Sequence, residues 1–437
     1  MIRDLLCENV SVSEDGEHLL FAGQDTTALA TAYGTPLYLM DEDRIRACCR
    51  MYKAAVDAAF DGNAQVLYAS KASSFKRIYE IMYEEGMGVD VVSVGELYTA
   101  IKAGFPLSQI YFHSNNKTDA DIVFAMEHGI GYFVVDNEEE LLAIEREAAL
   151  RGITQSVLLR ITPGIDPHTF EAVSTGKVDS KFGFAIETGA AEDIVKKALT
   201  QPHIRVAGLH CHVGSQVFDA EVFLLTADVM LEFIADMQVR HGLITELFDI
   251  GGGFGVRYLP TDPVLDLPAC MAEIGSFMKE KAKKLGITLP KIAFEPGRSM
   301  VADAGMTLYT VGNVKGIPDF INYVSVDGGM TDNVRYAMYG APYTLFQANA
   351  MHREHDMTCT VVGRCCESGD IIQPNVTLPA DIKRGDLVAV LTTGAYHYSM
   401  ASNYNRLPRP PIVMLSNGKS YVAVRRETID DLTALDV

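Results

Sequence analysis

The chain has 437 residues, 48% of them hydrophobic, and a formal net charge of -20 at pH 7. This length suits two domains, each with its own core. The negative charge argues against nucleic acid and against anionic membrane surfaces as partners, since both attract basic proteins. Eight cysteines include two adjacent pairs, Cys48-Cys49 and Cys365-Cys366. Adjacent cysteines form a poor disulfide framework, so we expect a reducing, cytoplasmic location. We also expect no signal peptide and no membrane span, because no apolar run approaches 18 residues.

The chain begins with short strand-like runs, Leu19–Ala22 and Pro36–Met40. We expect the N-terminal segment, residues 1–35, to pair with a β domain formed by the C-terminal part of the chain. The sequence leaves open whether these two runs belong to that domain or to the region that follows them.

From about residue 64 to 298, β-rich apolar runs alternate regularly with longer amphipathic stretches, which predicts parallel strands with helical crossovers. We place the domain formed by this region at residues 36–305. Five helical stretches are Val94–Ala103, Glu138–Leu150, Ala191–Leu199, Ala220–Val239 and Cys270–Leu285. The eight strand candidates are Val66–Ala69, Gly88–Val92, Gln109–His113, Tyr132–Val135, Ser156–Ile161, Val206–His212, Leu247–Ile250 and Lys291–Glu295. Eight such units are typical of a (β/α)8 barrel, and an open doubly wound sheet is the alternative.

The polar motifs favour closure of the barrel. Lys71, His212, the glycines from Gly251 to Gly253 and the segment Glu295–Arg298 follow the first, sixth, seventh and eighth strand candidates. The carboxyl ends of barrel strands meet at one mouth, whereas the first and last strands of an open sheet lie far apart.

After Arg298 the pattern changes to short β-branched runs separated by Gly, Pro, Asn and Asp. This pattern of short runs and turn residues predicts a β domain of sandwich or barrel type over residues 306–437. One helix is expected within it, at Asp332–Tyr339. The predicted strands are Thr307–Val314, Asn322–Val326, Thr358–Val362, Leu387–Thr392, Ile412–Leu415 and Tyr421–Arg425.

Lys71 stands directly after the first barrel strand, in the run Tyr68-Ala69-Ser70-Lys71-Ala72. Burial at such a position would disfavour the ammonium form and lower the pKa of the side chain. A neutral amine is the nucleophile that forms a Schiff base with a carbonyl cofactor. The simpler interpretation is that the lysine reaches into water, as most lysines near strand ends do.

The glycine run Gly251–Gly255 indicates a phosphate-binding turn, because glycines let backbone N–H groups approach an anion closely. The run does not match the spaced dinucleotide motif, and an ordinary turn is the alternative. Ser215 could add a hydroxyl to the same phosphate. His210 and His212 share one strand face, but no partner with zinc spacing accompanies them, so we expect no metal.

Glu295 and Arg298 place an acid and a base together after the eighth strand. A carboxylate can keep the pyridine nitrogen of pyridoxal phosphate (PLP) protonated, and an arginine can bind a phosphate or carboxylate with two hydrogen bonds. A surface ion pair on a turn is the other interpretation. Cys366 stands beside acids, which favour the protonated thiol and so suit a proton donor; a structural cysteine in a turn is the alternative.

With these motifs in their order and spacing, the chain resembles the fold-type III PLP-dependent decarboxylases, and among them the diaminopimelate decarboxylase family. The resemblance runs from Tyr33 to Asn405. It rests on YASKA at 68–72, TGKVDSKFGF at 175–184, GLHCHVGSQ at 208–216, DIGGGFG at 249–255, EPGR at 295–298, DGGMTD at 327–332, CESGD at 366–370 and GAY at 394–396.

The resemblance implies an alanine racemase-like fold, PLP as cofactor and a homodimer with shared active sites. It makes Lys71 the Schiff-base lysine and Cys366 the second catalytic residue. Implied cofactor contacts are Lys71, His212, Ser215, Gly252, Gly253, Glu295, Gly297, Arg298 and Tyr396. Implied substrate contacts are Arg298, Arg335, Tyr339, Glu367 and Tyr396, with Cys366 and Glu367 coming from the second subunit.

The activity implied is decarboxylation of meso-2,6-diaminopimelate to L-lysine and CO2, the last step of lysine biosynthesis. The alternatives are an ornithine- or arginine-type decarboxylase and a non-catalytic PLP-binding homologue. Four residues near the substrate motifs depart from the usual family pattern: Thr331, Tyr336, Arg364 and His397.

Overall fold

The computed structural model describes residues 4–165 and 180–437. They form two compact units. The barrel unit comprises Cys48–Gly255 and Val264–Ser299, and the sheet unit comprises Met1–Ala47, Val256–Pro263 and Met300–Val437.

The described residues form strands that are numbered here in chain order. They are β1 (Val10–Val12), β2 (Leu19–Phe21), β3 (Gln24–Asp25), β4 (Leu37–Asp41), β5 (Ala64–Ala69), β6 (Gly88–Val91), β7 (Ile110–Phe112), β8 (Tyr132–Val135), β9 (Gln155–Thr162), β10 (Phe184–Ala185), β11 (Ile204–His210), β12 (Leu247–Asp249), β13 (Lys291–Phe294), β14 (Gly305–Ile317), β15 (Ile321–Val326), β16 (Leu345–Gln347), β17 (Met357–Val362), β18 (Ile371–Leu378), β19 (Leu387–Leu391), β20 (Ile412–Ser416) and β21 (Lys419–Val424).

The helices of the same residues are numbered likewise. They are α1 (Thr26–Tyr33), α2 (Glu42–Phe60), α3 (Lys76–Glu84), α4 (Val94–Lys102), α5 (Asp119–Glu127), α6 (Glu138–Arg151), α7 (Ala190–Leu199), α8 (Glu221–His241), α9 (Leu267–Leu285), α10 (Arg298–Val301), α11 (Arg335–Tyr339) and α12 (Ile429–Thr433).

The barrel unit is a closed parallel barrel. Its strands pair in the order β5, β6, β7, β8, β9, β11, β12, β13, and β13 pairs with β5 again through Ile292 and Ala64. All eight predicted strands are present and the (β/α)8 prediction is confirmed, so the open-sheet alternative is wrong. The short strand β10 adds to β9 beside the barrel.

Burial and capping explain why these segments take their conformations. β9 is buried along nearly its whole length, as expected of a strand covered by helices on one side and filled by side chains on the other. The helix α6 begins where the Asn137 side chain accepts from the Glu140 N–H, and it ends at Gly152 with a positive φ of 64°. Such polar caps and left-handed glycines are common helix ends.

The sheet unit contains a sheet in the order β18, β17, β15, β14, β4, β20, β21, with β19 beside β14 and β16 beside β19. This confirms the predicted C-terminal β domain. The strand β4 pairs antiparallel with β14 and parallel with β20, which answers the question left open for the run around Leu37. The strands β1, β2 and β3 form a small N-terminal sheet. Leu19 and Phe21 of β2 share a core with Leu39, Met306 and Val413.

None of the helices in residues 4–165 and 180–437 is long and apolar enough to cross a membrane.

Candidate active site

Polar side chains line the carboxyl ends of the barrel strands. Lys71 follows β5 in a short 3-10 turn, Ser70–Ala72. Glu295 follows β13, and His113 follows β7. His210 ends β11, with His212 two residues later, and Asp249 ends β12. In a parallel barrel these ends meet at one mouth, where active sites are built.

Lys71 is exposed, whereas its neighbours Ser70 and Ala72 are buried. This agrees with the simpler interpretation, that the lysine reaches into water, because the residue stands in the turn beyond the strand end. Its charge lies close to His212 and Asp90. Burial, and secondly the Lys71 ammonium, hold the pKa of His212 well below its usual value. Burial and the charge of Glu295 raise the pKa of Asp90, and Lys71 opposes that rise.

The glycine turn after β12 lies tightly against the loops after β11 and β13. A Cβ on Gly252 would stand 2.0 Å from the carbonyl oxygen of Glu295. Gly253 has a φ of +119°, and a Cβ there would stand 2.4 Å from the carbonyl oxygen of Gly214. The Gly252 N–H donates to His212 Nδ1 over 3.3 Å. Only glycine fits this turn, because a side chain at either position would collide with the backbone of a neighbouring loop.

Arg298 and Ser215 form a second polar group beside the glycine turn. The buried Arg298 donates from its guanidinium to Ser215 Oγ over 3.1 Å. Gly297 brings the same loop against β5, because a Cβ there would meet Ala69 Cβ at 2.8 Å. The guanidinium and the hydroxyl, beside a turn that only glycine fits, match the chemistry of a phosphate group.

Glu295 is buried between two histidines. Its Oε1 lies 2.7 Å from His113 Nε2, and its Oε2 lies 3.1 Å from His210 Nε2. Burial by itself would raise the pKa of Glu295, but the two imidazoles hold it well below its usual value. Burial lowers the pKa of His113 to about 4, although Glu295 opposes that shift. The carboxylate is thus kept anionic inside the barrel, which suits contact with a protonated ring nitrogen.

The residues of the barrel unit therefore fit PLP. Lys71 offers an accessible amine for the carbonyl carbon, and Glu295 offers an anion for the pyridine nitrogen. Ser215, Arg298 and the glycine turn match the phosphate. The implied cofactor contacts of this unit, His212 included, all follow the carboxyl ends of its strands.

The sequence motifs did not single out all the buried polar residues of this mouth. His113, Asp90 and Arg160 were not picked out, and Arg160 Nη1 lies 3.4 Å from Asp136 Oδ2. The sequence signal that could have identified these three residues was their position at or next to the ends of predicted strands. The segment TGKVDSKFGF at 175–184 was another predicted family motif, and its residues 175–179 lie outside the described part of the chain.

The sheet unit brings together three of the predicted substrate residues. The buried Arg335 guanidinium lies 5.4 Å from the ring centre of Tyr339 and 5.3 Å from that of Tyr396. Tyr396 has a φ of +66°, a conformation that costs energy for a tyrosine and often marks functional sites.

Cys366 and Glu367 lie on the turn between β17 and β18, and both are exposed. The Cys366 N–H donates to Asn405 Oδ1 over 2.8 Å. Glu367 Oε1 accepts from the Gly369 N–H over 3.1 Å. Hydrogen bonds thus hold the turn in shape and leave both side chains accessible.

Comparison with known proteins agrees with this geometry. The family model described as pyridoxal-dependent decarboxylase, pyridoxal binding domain, matches residues 42–302. A diaminopimelate decarboxylase from Bacillus subtilis is 45% identical over 420 residues, which cover 96% of this chain and 95% of the relative. The chain belongs to the diaminopimelate decarboxylase family.

Other members of the diaminopimelate decarboxylase family are similar over the same extent. The enzyme from Bacillus methanolicus is 44% identical, covering 97% of this chain and 98% of that one. The crystal structure of diaminopimelate decarboxylase from M. jannaschii with L-lysine superposes with a TM-score of 0.91 at 33% identity, covering 99% of this chain and 98% of that one. The fold and the cofactor class of this chain are therefore those of the family.

Proposed function

We propose that this protein decarboxylates meso-2,6-diaminopimelate to L-lysine and CO2 with the help of PLP. The observation that carries the proposal is the pairing of an accessible Lys71 with a buried, anionic Glu295 at one end of a barrel that belongs to this family. Relatives at 44–45% identity over nearly the whole chain carry the name of this activity.

Each residue of the barrel mouth has a proposed task. PLP, when bound, accepts the electron pair released from the bond between Cα and the carboxylate. Lys71 holds the carbonyl end of the cofactor, and Glu295 keeps a proton on the ring nitrogen. His212 packs against the ring. The phosphate is held by Ser215, Gly252, Gly253, Gly297 and Arg298.

The residues of the sheet unit are proposed to handle the substrate. Arg335 and Tyr339 bind its distal end, and Tyr396 contacts both cofactor and substrate. Arg298 adds a second guanidinium for a carboxylate. We further propose a homodimer in which the second subunit supplies Cys366, which protonates Cα, and Glu367, which binds the distal ammonium. The exposure of both side chains supports this assignment.

No disulfide joins any of the eight cysteines, all of which lie in the described part of the chain, and this supports a proposed cytoplasmic location.

The proposal is tested by measuring CO2 release from meso-diaminopimelate, ornithine, arginine and lysine offered separately to the purified protein. We expect turnover of meso-diaminopimelate and little of the other three, because only diaminopimelate carries a distal carboxylate. The Lys71→Ala variant should lose at least about a hundredfold in kcat. The exposed Lys102, at the end of α4, is the matched control, and Lys102→Ala should keep full activity. Preference for ornithine or arginine would overturn the substrate assignment, and an unaffected Lys71→Ala variant would overturn the role of the lysine.

A further inference from the structure

We propose that His113 and His210 are positioning residues that orient the Glu295 carboxylate. Recognition of the cofactor ring nitrogen by Glu295 then depends on both histidines. This inference rests on the cofactor class, and it deepens the role proposed for Glu295. It does not depend on which amino acid the enzyme decarboxylates.

The geometry gives each carboxylate oxygen its own imidazole. His113 approaches Oε1 at 2.7 Å and His210 approaches Oε2 at 3.1 Å. The two rings lie edge to face, with centres 4.8 Å apart. The three side chains come from the ends of β7, β11 and β13, so the carboxylate is held from separate strands of the barrel.

The proton positions of His210 follow from its surroundings. Its Nδ1 is buried and has no hydrogen-bond partner among residues 4–165 and 180–437. A neutral imidazole avoids an unsatisfied buried N–H by carrying its proton on the other nitrogen. The proton of His210 therefore sits on Nε2, from which it is donated to Glu295 Oε2.

Among the three buried acids Glu295, Asp249 and Asp90, Glu295 carries the negative charge. Burial, and next the charge of Glu295, raise the pKa of Asp249, and the same two causes raise that of Asp90. Further groups that respond to the Glu295 charge are Tyr111, Arg160, Cys211 and His212. With its charge in place and its orientation set by two imidazoles, Glu295 is prepared for a protonated ring nitrogen before the cofactor arrives.

A metal ion is the rival occupant, because the ligand atoms of these three residues all lie within 4.8 Å of one another. Zinc bonds of about 2.0–2.2 Å in tetrahedral geometry keep neighbouring ligand atoms roughly 3.3 Å apart. Both separations in the structure, 2.7 Å and 3.1 Å, are shorter than this. The His210 contact is a hydrogen bond, whereas His113 Nε2 and Glu295 Oε1 lie close together without hydrogen-bond geometry, and neither atom has another hydrogen-bond partner among the described residues. The contacts therefore favour direct binding of the carboxylate by the histidines.

The test compares the affinity of the full-length apoenzyme for PLP and for its 1-deaza analogue, in which a C–H replaces the ring nitrogen. The wild type should bind PLP more tightly, and the ratio of the two dissociation constants measures recognition of the nitrogen. In His113→Asn and His210→Asn the amide nitrogen stops near the Nδ1 position and cannot reach Glu295. We expect the ratio to fall by about tenfold or more, the scale of one hydrogen bond to a charged group.

Glutamine places its amide nitrogen near the Nε2 position, so His113→Gln and His210→Gln should keep most of the wild-type ratio. A purely structural role would weaken both cofactors equally and leave the ratio unchanged in every variant. His203 is the matched control, because its Nδ1 lies 2.8 Å from Glu145 Oε1 in the same unit. His203→Asn should change neither dissociation constant.

An unchanged ratio in folded asparagine variants would overturn the proposal, as would zinc bound in stoichiometric amount at the wild-type site. If an asparagine variant does not fold, the glutamine variant at that position decides: a ratio reduced as far as in Glu295→Gln contradicts the proposal. The readout involves no amino-acid substrate. A failure of the substrate assignment is therefore visible separately, in the CO2 assay.

Discussion

At the scale of single residues, neighbours decide the protonation of two buried acids in opposite ways. Glu295 is buried beside two imidazoles, and they hold its pKa well below the usual value even though burial opposes this. Asp332, in the sheet unit, is equally buried. Burial raises the pKa of Asp332 to about 7, although hydrogen bonds from Tyr309, Gly329 and Thr331 act against the rise. Two imidazoles thus outweigh burial at Glu295, whereas hydroxyl and backbone donors do not outweigh burial at Asp332, which titrates near neutral pH.

The raised pKa of Asp332 predicts a pH dependence of stability. The folded protein holds this proton up to about pH 7, whereas the ordinary pKa is 3.8, so the free energy of unfolding falls as the pH rises through this window. Between about pH 5.5 and 8 the wild type should lose roughly 2 kcal/mol relative to Asp332→Asn, which cannot titrate. Urea unfolding of both proteins at each pH measures the difference. Parallel stability curves would show that Asp332 is ionised throughout.

At the scale of elements, a buried ion pair ties the loop that follows His113 to the helix α6. Lys117 Nζ lies 2.8 Å from Glu140 Oε1 and also donates to the carbonyl oxygens of Val134 and Ser114. The two side chains are 0% and 1% exposed, so neither charge is solvated by water. Burial lowers the pKa of Lys117 and raises that of Glu140, while each partner opposes the other's shift. The pair fixes the loop because either charge alone is costly to bury.

Removing one partner of this pair should therefore destabilise the fold strongly. Lys117→Met leaves the Glu140 carboxylate buried without its cation, and we expect a loss of about 3–5 kcal/mol in the free energy of unfolding. The double variant Lys117→Met with Glu140→Gln should be more stable than Lys117→Met alone. Urea unfolding measures both. The exposed pair Lys284–Glu280 is the control, and Lys284→Met should cost less than about 1 kcal/mol. Equal losses in the two lysine variants would contradict this account.

At the scale of the whole molecule, the proposed dimer predicts complementation between inactive chains. A Lys71→Ala chain keeps Cys366 but lacks the amine for PLP, and a Cys366→Ala chain has the reverse defect. Each homodimer should be nearly inactive. In a heterodimer with shared sites, one site carries both defects and the other carries neither, so activity should recover to at most about half of the wild-type value.

The measurement is CO2 release after subunit exchange, with the exchange itself followed by two different affinity tags. A mixture of two Lys71→Ala preparations is the control and should show no recovery. Exchange without recovery in the test mixture would place Cys366 in the site of its own chain or outside any site.

The sequence alone was sufficient for most of the longer strands of both units. The eight barrel strands are apolar, β-rich runs of the expected length, and each was identified to within a few residues. The strands β1, β3, β10, β16 and β18 were missed. β16 has only three residues, Leu345–Gln347, and β18 contains Pro374, both of which weaken a strand signal. The polar motifs at the strand ends also predicted one mouth, because parallel strands present their carboxyl ends together.

Only the tertiary structure decided which distant residues meet. The pairing of β4 with β14 and β20 depends on strands that lie far away along the chain, and no local pattern encodes such a partner. The sequence around His113 likewise gives no sign of its contact with Glu295, because closure of the barrel brings the two residues together. The exposure of Lys71 was likewise decided by the turn in which it stands. Local propensity and periodicity depend on near neighbours, whereas burial and the electrostatic environment of a side chain depend on all elements that fold around it.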